Sequence, residues 1–375
     1  LRQQCITYPS LALIRGLYCI ENFTEHTARN DGILIFPQGF KFDGKKLYIP
    51  KIGWVSIKDK ITKKEVWERI KESAKQVWIK EEVDGFFAYI VYEREKEEKE
   101  NNGKVVGIDV GIKNTLTMSN GDVISLDTKR IMGLVRKAER LQSVIDRKRA
   151  INKKRGIKKT RRIEELERRR DKILKKIQNI KVDFYYKAVN HILNGGKLDG
   201  ISFSSGHGEY RSEMVANSQG NLYSESLHSN VESMPVNSHE YVVVEDLNLK
   251  ELREAEKGGK VIRRKVNKYL QYISLSEFFR ILEWKAELYG REIIRVNPRD
   301  TSKTCSNCGY VNHELMLSDR VFKCPVCGLK IDRDLNASIN ILKRGMEHIA
   351  PSSGHGEYMR EMVLSEEPIR RALAL

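Results

Sequence analysis

Four cysteines carry the sharpest chemical signal in the sequence. Cys305-Ser306-Asn307-Cys308 and Cys324-Pro325-Val326-Cys327 form two C-x-x-C pairs with 15 residues between them. A glycine follows each pair, Gly309 and Gly328, and supplies the tight turn of a Cys-x-x-Cys-Gly knuckle. Four thiolates at this spacing suit tetrahedral zinc, and the intervening stretch is long enough for a hairpin that closes a ribbon. Four protein ligands leave no open position, so such a zinc is structural. Two disulfides or buried free thiols are the competing reading, disfavoured for a basic, soluble chain of intracellular type. Cys5 and Cys19 read as buried thiols apart from this site.

A structural metal leaves catalysis to other groups, and three acids qualify. Asp109 ends the apolar run Val105–Ile108, and Glu245 ends Tyr241–Val244. Asp334 stands after the cysteine stretch, before a helix expected over Ala337–Lys343. Taken singly, each has a plain structural reading: a turn cap at Asp109, a solvated strand end at Glu245, an N-cap at Asp334. Together they match what divalent cations need, carboxylates from separate elements gathered at one sheet edge. Two Mg²⁺ ions about 4 Å apart can activate a water and stabilise the leaving oxygen of a phosphodiester.

The elements that must position these groups follow from periodicity. Residues 33–96 read as a β-rich domain, a small barrel or sandwich, with a hairpin at Asp84-Gly85 and a short helix within Thr62–Ala74. Glu93–Gly103 reads as a linker. A second domain, α/β or α+β, opens at Lys104 and continues through a hairpin at Asn120-Gly121, buried strands at 241–244 and 291–296, and a long helix over Val266–Tyr289. Between Asp109 and Glu245 in sequence lie two expected helices broken near Gly156. Their apolar stripes are Ile131, Leu134, Val135, Ala138 and Leu141, then Ile163, Leu166, Ile173, Leu174 and Ile177.

Charge is concentrated on those helices. The chain of 375 residues has 68 Lys or Arg against 51 Asp or Glu, a net +17. Between Lys129 and Lys181 alone there are 22 bases against six acids. Such a block repels itself without a counter-charge, which points to a polyanion and to Lys153, Lys154, Arg155, Lys158, Lys159, Arg161, Arg162, Arg168 and Arg169 as phosphate contacts. A solvated helical hairpin is the plainer alternative. The 40% apolar content excludes wholesale disorder, and no run approaches the roughly 18 apolar residues of a membrane span, so no membrane partner is expected. Leu1–Ile20 lacks a signal-peptide layout, and without an initiator Met the chain reads as a fragment.

Four stretches together resemble the OrfB/TnpB transposon proteins, relatives of type V CRISPR effector nucleases. They are Val106–Gly111, Val243–Asn248, Asn297–Gly309 and Asp332–Leu342. The resemblance covers about residues 33–345, except 194–240. It implies an α/β fold: an RNase H-like (RuvC-like) nuclease domain over 104–345, with a zinc ribbon at 304–328 and a basic helical segment at 129–193. A β-barrel wedge domain over 33–96 precedes it. Residues 1–32 are then a truncated N-terminal segment, 194–240 a low-complexity insertion, and 346–375 a C-terminal tail. The implied activity is RNA-guided DNA cleavage, with a guide RNA from the transposon end, DNA, and a companion transposase as partners. Asp109, Glu245 and Asp334 would hold catalytic Mg²⁺, Arg333 would approach the scissile phosphate, and the location would be cytoplasmic and nucleoid-associated.

Two rivals remain. Gly107–Gly111 also resembles the first phosphate loop of an actin-fold ATPase, but Gly195-Gly196 and Gly258-Gly259 do not follow an apolar strand ending in Asp. A catalytically decayed zinc-ribbon regulator of transposition would share every motif. One feature stands apart: Ser204–Tyr210 recurs as Ser352–Tyr358. Its His and Glu pairs are too few for a metal site, and the repeat has no physical account.

Overall fold

A computed structural model describes residues 10–15, 29–30, 33–43, 46–57, 64–83, 85–92, 104–111, 114–157, 160–195, 198, 201–204, 239–247, 274–316 and 319–353. It is a mixed α/β protein whose contacts divide it into two units, residues 1–95 with 134–176, and residues 96–133 with 177–375.

The first unit is built on an eight-stranded sheet. Its strands are β1 (Ser10–Arg15), β2 (Arg29–Asn30), β3 (Ile33–Phe36), β4 (Lys41–Phe42), β5 (Lys46–Ile49), β6 (Gly53–Ile57), β7 (Ala74–Glu82) and β8 (Gly85–Tyr92). The order is β2-β3-β7-β8-β1-β6-β5-β4, with antiparallel pairs throughout. Strand alternation sends Leu47, Ile49, Val77, Ile79, Ala88 and Ile90 into one core, closed by Ile70 of helix α1 (Lys64–Ser73). The expected hairpin is present, with Glu82 opposite Gly85. The sheet starts earlier than expected: β1 falls inside the segment read as a truncated remnant, and it pairs with β8 and β6.

Helices α2 (Thr128–Lys154) and α3 (Arg161–Asn194) carry the basic segment. Gly156 ends α2 at φ +68°, the break its position implied. Ile145, Ile163 and Leu166 bury one seam between them, and Arg149 pairs with Glu167 across it at 2.6 Å. Lys175 joins the helix to the sheet, paired with Glu82 and 3.8 Å above the Phe87 ring. Leu174, counted in the apolar stripe, is exposed instead.

The second unit has a six-stranded sheet in the order β12-β11-β10-β9-β13-β14. These are β9 (Val105–Asp109), β10 (Leu116–Met118), β11 (Val123–Ser125), β12 (Ser202–Ser204), β13 (Tyr241–Glu245) and β14 (Glu292–Val296). β9, β13 and β14 are parallel, and the remaining pairs are antiparallel. Val105, Val106, Ile108 and Val242–Val244 are fully or almost fully buried, as expected for parallel strands covered on both faces. The stretch read as an insertion contributes at both ends: β12 extends the sheet, and His239 bonds the Ile192 carbonyl. Residues 205–238, the linker 93–103, residues 248–273 and the second SSGHGEY copy beyond Ser353 lie outside the described residues.

Helix α4 (Leu275–Tyr289) ends at Gly290, φ +64°, and a two-stranded ribbon, β15 (Val321–Lys323) and β16 (Lys330–Asp332), leads into α5 (Arg333–Ser353). α5 is longer than the helix expected over Ala337–Lys343, and its last turns lie in the segment read as a tail. The helix makes a close approach to the sheet. A Cβ on Gly107 would stand 2.3 Å from the Ser338 carbonyl oxygen and 2.6 Å from the Leu342 nitrogen; one on Gly345 would stand 2.3 Å from Val243 Cγ2. Among the described residues, no helix is long and apolar enough to cross a membrane.

Gly107→Ala should therefore cost about 1–3 kcal/mol or more through overpacking. Gly133→Ala, in α2 with nothing within 4 Å of the new methyl, should gain about 0.5–1 kcal/mol. Denaturant titration checks both, and a Gly107→Ala protein as stable as wild type would refute the close approach.

Candidate active site and metal-binding cysteines

All three candidate acids sit in the second unit. Asp109 and Glu245 are the last residues of neighbouring parallel strands, in a register that pairs Ile108 with Val244. Ligand groups in such sheets gather at the carboxyl ends of the strands. Asp334 opens α5, and the helix contact at Gly107 sets where that N-terminus lies. Asp332, not Asp334, caps the helix: its Oδ1 accepts the N–H groups of Asp334 at 2.9 Å and Leu335 at 3.1 Å. Asp334 is thereby released from the capping role that its position suggested. Asn114 donates to its Oδ2 at 3.2 Å.

Electrostatics ties the three together. Burial raises the Asp109 carboxyl well above its ordinary range, and the charges of Glu245 and then Asp334 raise it further, with Arg333 opposing. Burial also raises Glu245, against a hydrogen bond from Thr301 and the charge of Arg344. Asp334 rises through burial and the Asp332 charge, against Arg320 and the Asn114 bond. Burial raises all three acids, and Asp109 is raised further by the other two, so the site is short of positive charge, which a divalent cation would supply. Asp246, beside Glu245, is exposed and faces Arg295 at 3.6 Å, so the acids of this dipeptide are separated in role.

The four cysteines converge. Their sulfurs lie within 4.8 Å of one another, and no other set of three or more such ligand atoms among the described residues is gathered that closely. Cys305 and Cys327 are 3.6 Å apart, Cys308 and Cys324 3.5 Å, far beyond the roughly 2.05 Å of a disulfide. Tetrahedral zinc with bonds of about 2.3 Å needs sulfurs about 3.8 Å apart, so the donor set fits. The knuckles repeat each other: Gly309 and Gly328 take φ +77° and +76°, and their N–H groups bond Cys305 and Cys324 carbonyls at 3.0 and 3.1 Å. The Leu329 N–H holds the Cys327 thiol down to about 6, whereas burial pushes Cys305 up to about 12.

Arg333 is engaged by the ribbon. Its guanidinium donates to the carbonyls of Met316 at 2.9 Å and Asp319 at 3.4 Å, and to Ser302 Oγ at 3.3 Å. Of the basic candidates, Lys153, Lys154, Arg155, Arg161, Arg162, Arg168 and Arg169 are exposed. Arg162 and Arg169 share Glu165 at 2.8 and 2.6 Å, and Lys158 and Lys159 lie outside the described residues. Sequence reasoning missed Thr301, Asn114, Asn336 and Asn340. Asn336 and Asn340 are spaced one helical turn apart on a buried helix, and that was a signal for a polar clamp.

Two family models match. Residues 89–202 match OrfB_IS605, "Probable transposase", and residues 276–341 match "Cas12f1-like, TNB domain". These matches bear out the resemblance to the OrfB/TnpB family that the motifs carry. TnpB-like protein L79 of Acanthamoeba polyphaga mimivirus is 32% identical over 121 residues, 32% of this chain and 22% of the relative. "Putative RNA-guided DNA endonuclease InsQ" of Escherichia coli (strain K12) is 22% identical over 346 residues, 90% of this chain and 69% of the relative. A solved Cas12f1–sgRNA–target DNA complex superposes with TM-score 0.45 and 16% identity, over 82% of this chain and 58% of that one. The chain thus spans about a fifth of the length of the mimivirus relative.

The electrostatics give a pH test. A carboxyl raised in the folded state holds its proton more tightly there than in the unfolded chain, so its contribution to stability is lost as pH rises through the folded value. In cation-free buffer, Asp109→Asn should gain on wild type from about pH 4 to neutrality. Thermal melts across that range check this, and an unchanged difference between the two proteins would contradict the crowding of Asp109.

Proposed function

We propose that the chain is a transposon-associated, RNA-guided DNA endonuclease of the OrfB/TnpB type. One observation carries the reading: Asp109, Glu245 and Asp334 come from two parallel strand ends and one helix start, and Asp109 is raised by burial and then by the charges of the other two. The mixed sheet, with antiparallel strands beside a parallel trio covered by α5, supports an RNase H-like, RuvC-like domain. The eight-stranded sheet of the first unit corresponds to the wedge domain, and the knuckles with β15 and β16 to the zinc ribbon. The names of the relatives, an RNA-guided DNA endonuclease and Cas12f1 endodeoxyribonucleases, support DNA as substrate and RNA as guide.

Divalent cations bound by the three carboxylates would supply an activated water and stabilise the leaving oxygen. The chain's own part is placement. Asn114 orients Asp334, Thr301 orients Glu245, and Asp332 caps the helix start in place of Asp334. Arg333 anchors the ribbon to the helix that bears Asp334. The exposed bases of α2 and α3 would neutralise phosphates without reading sequence, which base pairing to the guide supplies. Zinc at the cysteines would be structural, because four sulfurs complete its coordination.

The test is to sequence RNA that copurifies with the full chain, then supply DNA matching it together with Mg²⁺. Cleavage by wild type and loss of cleavage, at least a hundredfold by order of magnitude, in Asp109→Ala would support the reading. Equal behaviour of the two proteins would sink it. Zinc is checked separately by metal analysis: wild type should hold one zinc per chain and Cys305→Ser should lose it. Wild type without zinc would overturn the ribbon assignment.

A further inference from the structure

The loop between β14 and the first cysteine pair joins the two sites. Thr301 is 4% exposed, and its hydroxyl stands 2.5 Å from Glu245 Oε1 and 3.2 Å from the Pro298 carbonyl oxygen. A hydroxyl has one proton to donate, and the shorter contact to a charged acceptor takes it. A carboxylate has about four lone-pair sites, so this bond fixes the rotation of the Glu245 carboxylate and leaves it capacity for a ligand.

Thr301 is itself fixed. Asn340 Nδ2 donates to the carbonyls of Thr301 at 2.9 Å and Thr304 at 2.7 Å, and Asn336 Nδ2 donates to Thr304 at 2.7 Å. Asn336 Oδ1 accepts the Ser306 N–H at 2.9 Å. Both asparagines are buried on α5, at 6% and 0% exposure. Asp300 turns the chain at φ +58°, and its carbonyl accepts from Thr304 twice, through Oγ1 at 2.8 Å and N–H at 2.9 Å. Three residues separate Thr301 from Cys305, and this clamp spans all of them. A loop needed only for the fold would require burial and shape, which valine supplies as well as threonine. The hydroxyl is spent on Glu245 instead.

We propose that Thr301 is the positioning residue for Glu245, and that metal in the cysteine cluster holds the Asp300–Ser306 loop so that cation affinity at the carboxylates depends on it. The inference rests on reading Asp109, Glu245 and Asp334 as cation ligands.

Calorimetric titration of the full, zinc-loaded chain with Mn²⁺, without nucleic acid, tests it. Thr301→Val should weaken Mn²⁺ binding about tenfold or more, while Thr301→Ser stays within about threefold of wild type. Both variants should keep their zinc and melt close to wild type. Cys308→Ser, which removes an exposed ligand, should also weaken Mn²⁺ binding, and by much less in the Thr301→Val background than alone. Thr301→Val that binds as wild type does overturns the positioning role, provided Asp109→Ala abolishes binding. Full additivity of the two substitutions overturns the dependence on the cysteine cluster. A wild type with no Mn²⁺ binding, or with binding indifferent to Asp109→Ala, overturns the ligand reading and this inference together.

Discussion

The second unit depends on one close approach, the backbone of α5 lying against β9 where Gly107 has no side chain. With Ser338 and Leu342 backbone atoms where a Cβ would be, the helix cannot shift sideways without opening a void or making a clash. The Gly345–Val243 contact fixes the same helix on β13 two turns further along. Two such points set both position and tilt, and the helix start is therefore set as well. Asp334 comes near enough to Asp109, at the end of β9, for its charge to act there because glycine occupies the position opposite Ser338.

That geometry carries an electrostatic cost which the surroundings offset only in part. Three carboxyls are pushed upward by burial, and Arg333, Arg320 and Arg344 oppose this without cancelling it. A site built for stability would pair each acid or bury something apolar in its place. Here the polar contacts go to orientation instead: Asn114 to one carboxylate, Thr301 to another, and Asp332 to the helix end that would otherwise draw Asp334 into capping. Retaining the charge deficit while fixing its members is the arrangement expected of a cation site.

What could be read beforehand followed from how local the causal interactions are. The cysteine cluster was legible because spacing and glycine turns act within a few residues, and Asp109 and Glu245 because a buried strand ending in an acid is a short pattern. β1 was not legible. Ser10–Arg15 has a modest apolar alternation, and its place between β8 and β6 is decided by partners more than 40 residues away in sequence. β12 is three residues, Ser-Phe-Ser, with no strand signal beyond the edge it happens to meet. The Asp332–Asp334 assignment could not be read either, because two acids two positions apart offer the same helix start, and only the hydrogen bonds say which one caps.

The cysteine cluster and the acids are linked through the same helix. α5 buries Leu335 and Ile339 against Phe322, Leu329 and Ile331 of the ribbon, while its other side packs Ile341 and Leu342 on β9 and β13. One helix thus serves two cores, its first turns packing on the ribbon and its later ones on the sheet. Any reorganisation of the knuckles must be taken up at the start of α5 or in the Asp300–Ser306 loop, the two places that hold Asp334 and Thr301. Ribbon and acids are not separate modules joined by a tether; the ribbon forms one wall of the frame in which the acids stand.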